Sequence, residues 1–178
     1  DVAVEDGKIA RVAPDISADE AKRIIEVKGK LVIPGLIDLH THVYAGVNAN
    51  GVDPDIGGVR AGVTIMVDAG SAGCDTFGGF PKHIIPNTST EIICFLHICR
   101  TGLATTPDIF SPDSIDMDRT VQVISENRDV ISGVKARMVT PALDIMGMEM
   151  PLLAKKAAKE ASVRLMVHIG DTQKKYDP

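Results

Sequence analysis

An α/β fold with a parallel sheet is what this sequence predicts, and three observations predict it. Five short apolar segments, beginning near Leu36, Val63, Glu91, Ile131 and Val163, alternate with stretches of helical periodicity, the pattern of βα units. In four of them, those after the first, one alternating set of positions is aliphatic or small: Val63, Ile65 and Val67; Ile92, Cys94, Leu96 and Ile98; Val134, Ala136 and Met138; Val163, Leu165 and Val167. The other set carries a polar group at or near the carboxyl end of every segment: His40 and His42, Asp68, His97, Lys135 with Arg137, and His168. That edge of the strands is where a (β/α)8 barrel builds its active site, so the layout predicts about five units of a TIM-type barrel. An open doubly wound sheet gathers function at the same edge and stands as the alternative.

The composition is that of an ordinary globular chain: 178 residues, 44% hydrophobic, with a formal charge of −5. No basic cluster offers an electrostatic footprint for nucleic acid, and no polybasic segment suggests a membrane surface. A small-molecule substrate is the expected partner, and a homo-oligomer the expected assembly. Cys74, Cys94 and Cys99 are odd in number and form no Cys-x-x-Cys pattern, which argues against a disulfide framework or thiolate zinc site and for buried thiols. No apolar run reaches the roughly 18 residues of a membrane span, and the cytoplasm is the expected compartment.

In chain order, residues 1–34 predict part of a small β-sandwich module and residues 35–178 the N-terminal part of the barrel. Asp6-Gly7, flanked by Val2, Val4, Ile9 and Val12, reads as a hairpin turn. Ile24–Val27 and Lys30–Ile33 read as two further strands. The barrel segments follow at residues 34–42, Val63–Asp68, Glu91–Cys99, Ile131–Val139 and Val163–His168. Helices are predicted around Asp55–Ala61, Phe77–Ile85, Met117–Asn127 and Pro151–Ala161, the last with proline in its first turn and Leu153, Ala157 and Ala161 on one face.

Pro34-Gly35-Leu36-Ile37-Asp38-Leu39-His40-Thr41-His42 carries the most chemistry. Alternation along a strand sends His40 and His42 in one direction, a natural way to offer two nitrogen donors to one metal ion. Lys135 on the inward face of a buried strand carries a desolvation cost that depresses its pKa unless a carboxylate pairs with it. A neutral amine of that kind takes up CO2 as an anionic carbamate. His97 faces the same mouth and is a candidate substrate contact. Ser71 lies in Gly70-Ser71-Ala72-Gly73, which lacks the third glycine of a phosphate loop and reads better as a loop lining the mouth. Arg137 either clamps a substrate carboxylate through its planar fork or pairs with Asp68 or a loop acid.

These motifs, together with residues 62–73, Gly133-Val134-Lys135-Ala136-Arg137-Met138 and Leu165-Met166-Val167-His168-Ile169-Gly170-Asp171, resemble the amidohydrolase superfamily, and within it the deacetylase and dihydroorotase-like branch. The resemblance implies a hydrolase with two divalent metal ions, zinc being the expected metal. It implies His40 and His42 on the more buried ion, a CO2-derived carbamate on Lys135 bridging both, and His168 on the more exposed one. Asp38 would orient a ligand from behind. The metals lower the pKa of a water and polarise the substrate carbonyl, so metal-assisted cleavage of an amide or ester is the implied reaction, with an N-acyl amino acid as the expected substrate. A dihydroorotase or hydantoinase acting on cyclic amides is the rival within the class. A non-catalytic barrel remnant serving as a binding or assembly module is the rival outside it.

The sequence also departs from the family pattern. Members carry a further metal-binding His at the end of strand six and a proton-transferring Asp at the end of strand eight, and no residue here takes either place. Since a complete barrel needs about 250 residues, the chain is expected to be part of a longer enzyme and to be poorly active by itself.

Overall fold

The computed structural model describes residues 1–170. The chain divides into two units, Asp1–Pro34 and Gly35–Pro178.

In the first unit, β1 (Val2–Glu5) and β2 (Lys8–Val12) form an antiparallel hairpin. Asp6 and Gly7 both have positive φ, 49° and 73°, as a two-residue type I′ turn requires. The terminal amine of Asp1 closes the open end by donating to the Ala13 carbonyl at 2.6 Å. The strands expected over Ile24–Val27 and Lys30–Ile33 do not form. Lys28 and Gly29 make a turn, with Lys30 N donating to Val27 O at 2.9 Å and Gly29 at φ 77°, but neither flank joins a sheet. Apolar alternation favours an extended chain, while a strand also needs an edge to pair with; Leu31 stays 86% exposed.

The second unit is built on five parallel strands: β3 (Leu36–Thr41), β4 (Val63–Gly73), β5 (Glu91–His97), β6 (Ile131–Met138) and β7 (Arg164–Ile169). Their spatial order is their sequence order, β3-β4-β5-β6-β7. A doubly wound sheet reverses its order at a switch point, and this one does not, so the strands form an arc of a (β/α)8 barrel.

Among the helices on the arc's outer side, α1 (Pro54–Gly57) follows β3 and is capped by Asp53, whose carboxylate accepts from Asp55 N and Ile56 N. The predicted helix near Phe77 is instead one π-type turn at Phe80–Ile84 followed by a 3-10 turn at Ile85–Asn87, in a segment containing Pro81 and Pro86. The α2 helix (Met117–Glu126) begins at Asp116, which accepts from Arg119 N at 2.9 Å, and buries Thr120, Val123 and Ile124. The α3 helix (Thr140–Met146) was not expected from the sequence. It has Pro141 in its first turn, Gly147 at φ 55° just past its end, and Ala142, Leu143 and Met146 buried, a pattern short enough to pass for a loop. The α4 helix (Glu149–Glu160) starts two residues ahead of Pro151 and buries Met150 together with Ala154, Ala157 and Ala158, whose small side chains allow close packing on the sheet.

The helix-side core contains Ile92, Cys94, Leu96, Val134 and Ala136, the set that strand alternation predicts. In β4 the expected parity is reversed. Met66, not Ile65 or Val67, joins that core, and Asp68 is paired in register with Cys94. The register between β4 and β5 is unbroken from Ile65 to Ala69, so this face follows from the pairing with Ile92 and Cys94; the ladder between β3 and β4, by contrast, shifts register twice. Cys74, Cys94 and Cys99 are all free and buried.

Candidate active site

His40 is the penultimate residue of β3, and His42 lies just past the strand's end. The Asp38 carboxylate accepts from His40 N at 3.1 Å, shaping the strand end beneath the imidazole. Thr41, pointing the other way, donates to the Val67 carbonyl at 3.1 Å and fixes the strand end against β4. The ring centroids of His40 and His42 are 5.8 Å apart, and those of His40 and His168 are 6.3 Å apart, both edge to face. Two imidazoles on one tetrahedral zinc ion, at about 2.0–2.1 Å per Zn–N bond, hold ring centres about 5–6 Å apart. The His40–His42 spacing fits that arrangement.

Lys135, in the middle of β6, is 1% exposed, and its amine lies 3.4 Å from His40 Nε2. Burial pushes its pKa down to about 8, with the Arg137 guanidinium adding to the fall and the Asp68 carboxylate opposing it. At that value roughly a tenth of the amine is neutral at pH 7, against less than about one part in a thousand for an ordinary lysine. Gly70, at φ 88°, lies against the lysine stem: a Cβ there would stand 2.6 Å from Lys135 Cγ and 2.7 Å from its Cβ. The glycine keeps the hollow in which the lysine sits. Burial also lowers the pKa of His40, helped by Lys135 and His168 and opposed by Asp38. His42 is pushed down to about 4, by burial first and then by His40 and Lys135. The imidazoles are thus neutral and carry the free lone pairs a metal needs. Without the lysine, no three His, Cys, Asp or Glu side chains among the described residues are placed to hold an ion.

The other predicted site residues are placed differently. Ser71 is completely buried within β4, which runs on to Gly73 where a loop was expected. Glycines at 70 and 73 let neighbouring strand ends approach; a Cβ on Gly73 would strike the Cys99 carbonyl. Ser71 Oγ lies 3.1 Å from His42 Nδ1 and accepts from Asn48 Nδ2 at 3.2 Å. His97 is also completely buried, its Nδ1 accepting from Cys99 N at 3.0 Å. Both side chains, expected as substrate contacts, are thus enclosed by protein in this arrangement.

His97 Nε2 points toward Asp108, 3.3 Å away but too poorly aligned for a good hydrogen bond. Burial keeps the imidazole neutral against the pull of Asp108, so the contact is not an ion pair of full charges. The carboxylate's charge partner is Arg137, whose Nη1 lies 3.3 Å from Asp108 Oδ2. Burial opposes ionisation of Asp108, but His97 and Arg137 outweigh it and its pKa falls below the ordinary carboxylate value. Arg137, 30% exposed, thus pairs with a loop acid and not with Asp68.

Asp68 is buried and holds backbone. Its Oδ2 accepts from Val43 N at 2.8 Å, and its Oδ1 from Gly70 N at 3.1 Å and Ser71 N at 2.7 Å. Asn48 and Asp108 had not been singled out from the sequence, since both lie in loops where no periodicity marks an inward side chain. Asp171, the last residue of the fourth motif, lies outside the described residues.

An arc of a (β/α)8 barrel with imidazoles at the carboxyl ends of its strands and a buried lysine within β6 beside them defines the class of protein: an α/β barrel with its candidate site at that edge. The profile of the Amidohydrolase family matches residues 31–177, and the chain belongs to that family. A deacetylase from Agrobacterium fabrum is 36% identical over 97% of this chain and 43% of its own length. A crystal structure of an adenine deaminase superposes with a TM-score of 0.86 at 30% identity, covering 96% of this chain and 46% of that one. A crystal structure of a dihydroorotase gives 0.71 at 36% identity, covering 78% of this chain and 39% of that one. The chain therefore spans less than half the length of these relatives.

Proposed function

We propose that the full-length protein is a metal-dependent amidohydrolase that cleaves the amide or ester bond of an N-acyl amino acid or a related small molecule. The observation that carries this reading is the depressed Lys135 amine 3.4 Å from His40 Nε2. A buried lysine beside neutral imidazoles is costly as a structural choice and useful as a source of metal ligands. His40, His42 and His168 would supply nitrogen, and Lys135, as its carbamate, the anionic oxygens. Two divalent ions, zinc being the expected metal, would acidify a water and polarise the scissile carbonyl.

The chain's own residues then have defined tasks. The end of β3 and the middle of β6 hold donors on rigid elements, and Gly70 leaves the hollow for the lysine stem. Asp38 holds the backbone under His40. Arg137 keeps one guanidinium edge on Asp108 and remains partly exposed, which suits it to an anionic group on the substrate. The similarity to a deacetylase over nearly the whole chain favours an acyl-amide substrate. A cyclic amide of the dihydroorotase or hydantoinase kind is the second reading, supported by the likeness to a dihydroorotase structure.

The test is hydrolysis by the metal-loaded full-length protein of a panel of N-acetyl amino acids beside dihydroorotate and hydantoins. Turnover of the acetyl compounds that stops on chelation supports the first reading. Turnover confined to the cyclic amides supports the second, and none on either overturns both.

A further inference from the structure

Arg137 stands two residues beyond Lys135 on the same face of β6 and is paired in register with His168 of β7, so it belongs to the edge where the candidate ligands gather. It meets Asp108 through one hydrogen bond, Nη1 donating to Oδ2 at 3.3 Å. A guanidinium carries five N–H donors in a rigid fork, and this contact takes one of them. An ion pair built for its own strength meets fork to fork, with two parallel bonds. Here the acid is 2% exposed and the arginine 30%, so the edge that Asp108 leaves unused remains within reach of solvent.

Asp108 is itself held from behind. The Cys99 thiol donates to the Asp108 backbone carbonyl at 2.6 Å, and Ile109, next in the chain, is 1% exposed within the hydrophobic core. The loop that carries both is closed at its base by the bridge between Cys99 and Ile115, where Arg100 N donates to Ser114 O at 2.8 Å. His97 faces the same carboxylate oxygen. Its Nδ1 accepts from Cys99 N, and a backbone N–H can only donate, so the ring proton lies on Nε2, 3.3 Å from Asp108 Oδ2. That buried proton finds no aligned acceptor among the described residues. Oδ2 thus has two donors aimed at it, one from β5 and one from β6, and their pull keeps the carboxylate between them.

A loose arginine at a binding site has to be ordered each time a ligand arrives, at a cost set by its rotamer freedom. An arginine tied at one corner has already lost that freedom in the fold. We propose that Asp108, fixed by the Cys99–Ile115 loop and faced by His97, is a positioning residue that holds Arg137 with its outer edge free for a substrate carboxylate, and so sets a preference for carboxylate-bearing substrates. The inference rests on the hydrolase reading given above for the substrate, and on the loop geometry for the arginine. The negative charge of Asp108 works against a second carboxylate on the same guanidinium, so positioning and charge predict effects of opposite sign when Asp108 is removed.

The experiment compares full-length wild-type, Asp108→Ala and Asp108→Asn proteins, zinc-loaded, on an N-acetyl amino acid that the enzyme turns over and on its primary amide. Asp108→Ala should raise the ratio of KM values, acid over amide, about two- to tenfold, the effect of having to order a loose side chain. Asp108→Asn keeps an acceptor oxygen for Nη1 and should hold the ratio near the wild-type value. A folded Asp108→Ala protein whose ratio is unchanged or lower overturns the proposal, because a merely structural acid would leave the ratio alone and a merely repulsive one would lower it. Spectra of the metal-free protein labelled with 15N-arginine give an independent reading. The Arg137 Nη signals should be separate in wild type and averaged by rotation in Asp108→Ala, and acetate, but not acetamide, should shift the wild-type signals. A wild-type guanidinium that rotates freely, or that ignores acetate, overturns the proposal even where Asp108→Ala does not fold. No turnover of any N-acetyl amino acid, with Arg137 fixed and shifted by acetate, would overturn the hydrolase reading and leave the positioning role standing.

Discussion

The Lys135 amine lies 3.4 Å from His40 Nε2, a contact between two groups that burial drives toward their neutral forms. Lys135 adds to the cost of charging His40, and burial with Arg137 raises the cost of charging Lys135, so a bare amine beside a bare imidazole is favoured. The contact spans the arc from β3 to β6, strands that are not neighbours in the sheet.

Replacing the lysine separates its chemistry from its packing. In Lys135→Met the buried amine gives way to an apolar chain of similar length, so the desolvation cost disappears. The urea midpoint should hold or rise, while zinc affinity and metal-dependent turnover should fall by a factor of about 100 or more. A large loss of stability would instead mean that the amine is held by favourable contacts.

Gly70→Ala tests the hollow. The substitution forces a Cβ into the left-handed region and within 2.7 Å of the Lys135 stem. Backbone strain and overpacking should together cost about 1–3 kcal/mol in urea unfolding. Unchanged stability would show that the lysine has room to move aside.

The acid limb of stability should run in part through Asp55. Its carboxylate accepts from the hydroxyl of Thr88 at 2.5 Å, from Ser89 N and Thr90 N, and from the Thr90 hydroxyl. These bonds, Thr88 first, hold its folded pKa well below the usual carboxylate range. A group depressed on folding stabilises fully above its unfolded value, about 3.9. That contribution is lost as the pH falls below this value toward the folded one. Urea titrations from pH 7 to pH 2 should therefore show a shallower acid limb in Asp55→Asn than in wild type.

Arg137 should discriminate substrates by charge. Arg137→Met is expected to raise KM for a carboxylate-bearing substrate about tenfold or more and to leave a neutral amide analogue little changed. Equal losses on both would assign the arginine to holding Asp108 alone.

Much of the site was legible in the sequence because strand alternation and strand ends are local properties. His40, His42, Lys135 and His168 each sit at a position that a period of two places on the inner face, and the structure gathers them. The same rule misplaces Asp68, because alternation alone does not say which of the two faces of β4 turns to the helices; the unbroken register with β5 puts Asp68 on the Cys94 side. His97 lies on the strand that its sequence context predicts, while its neighbour Asp108 comes from a loop 11 residues further on, which alternation does not reveal. Glycines at 70 and 73 usually break a strand and so predict a loop at Ser71; here they let the strand end pack closely. Ile24–Val27 looked like a strand from its apolar residues, and pairing is not encoded in one segment alone.

The central claim is that Lys135 joins the imidazoles as a metal ligand after taking up CO2. Metal analysis of the full-length protein, dialysed against zinc with and without bicarbonate, tests it most directly. Two equivalents of zinc that depend on bicarbonate, reduced in Lys135→Met, are predicted. One equivalent or none, or a stoichiometry indifferent to both bicarbonate and the lysine, would contradict it.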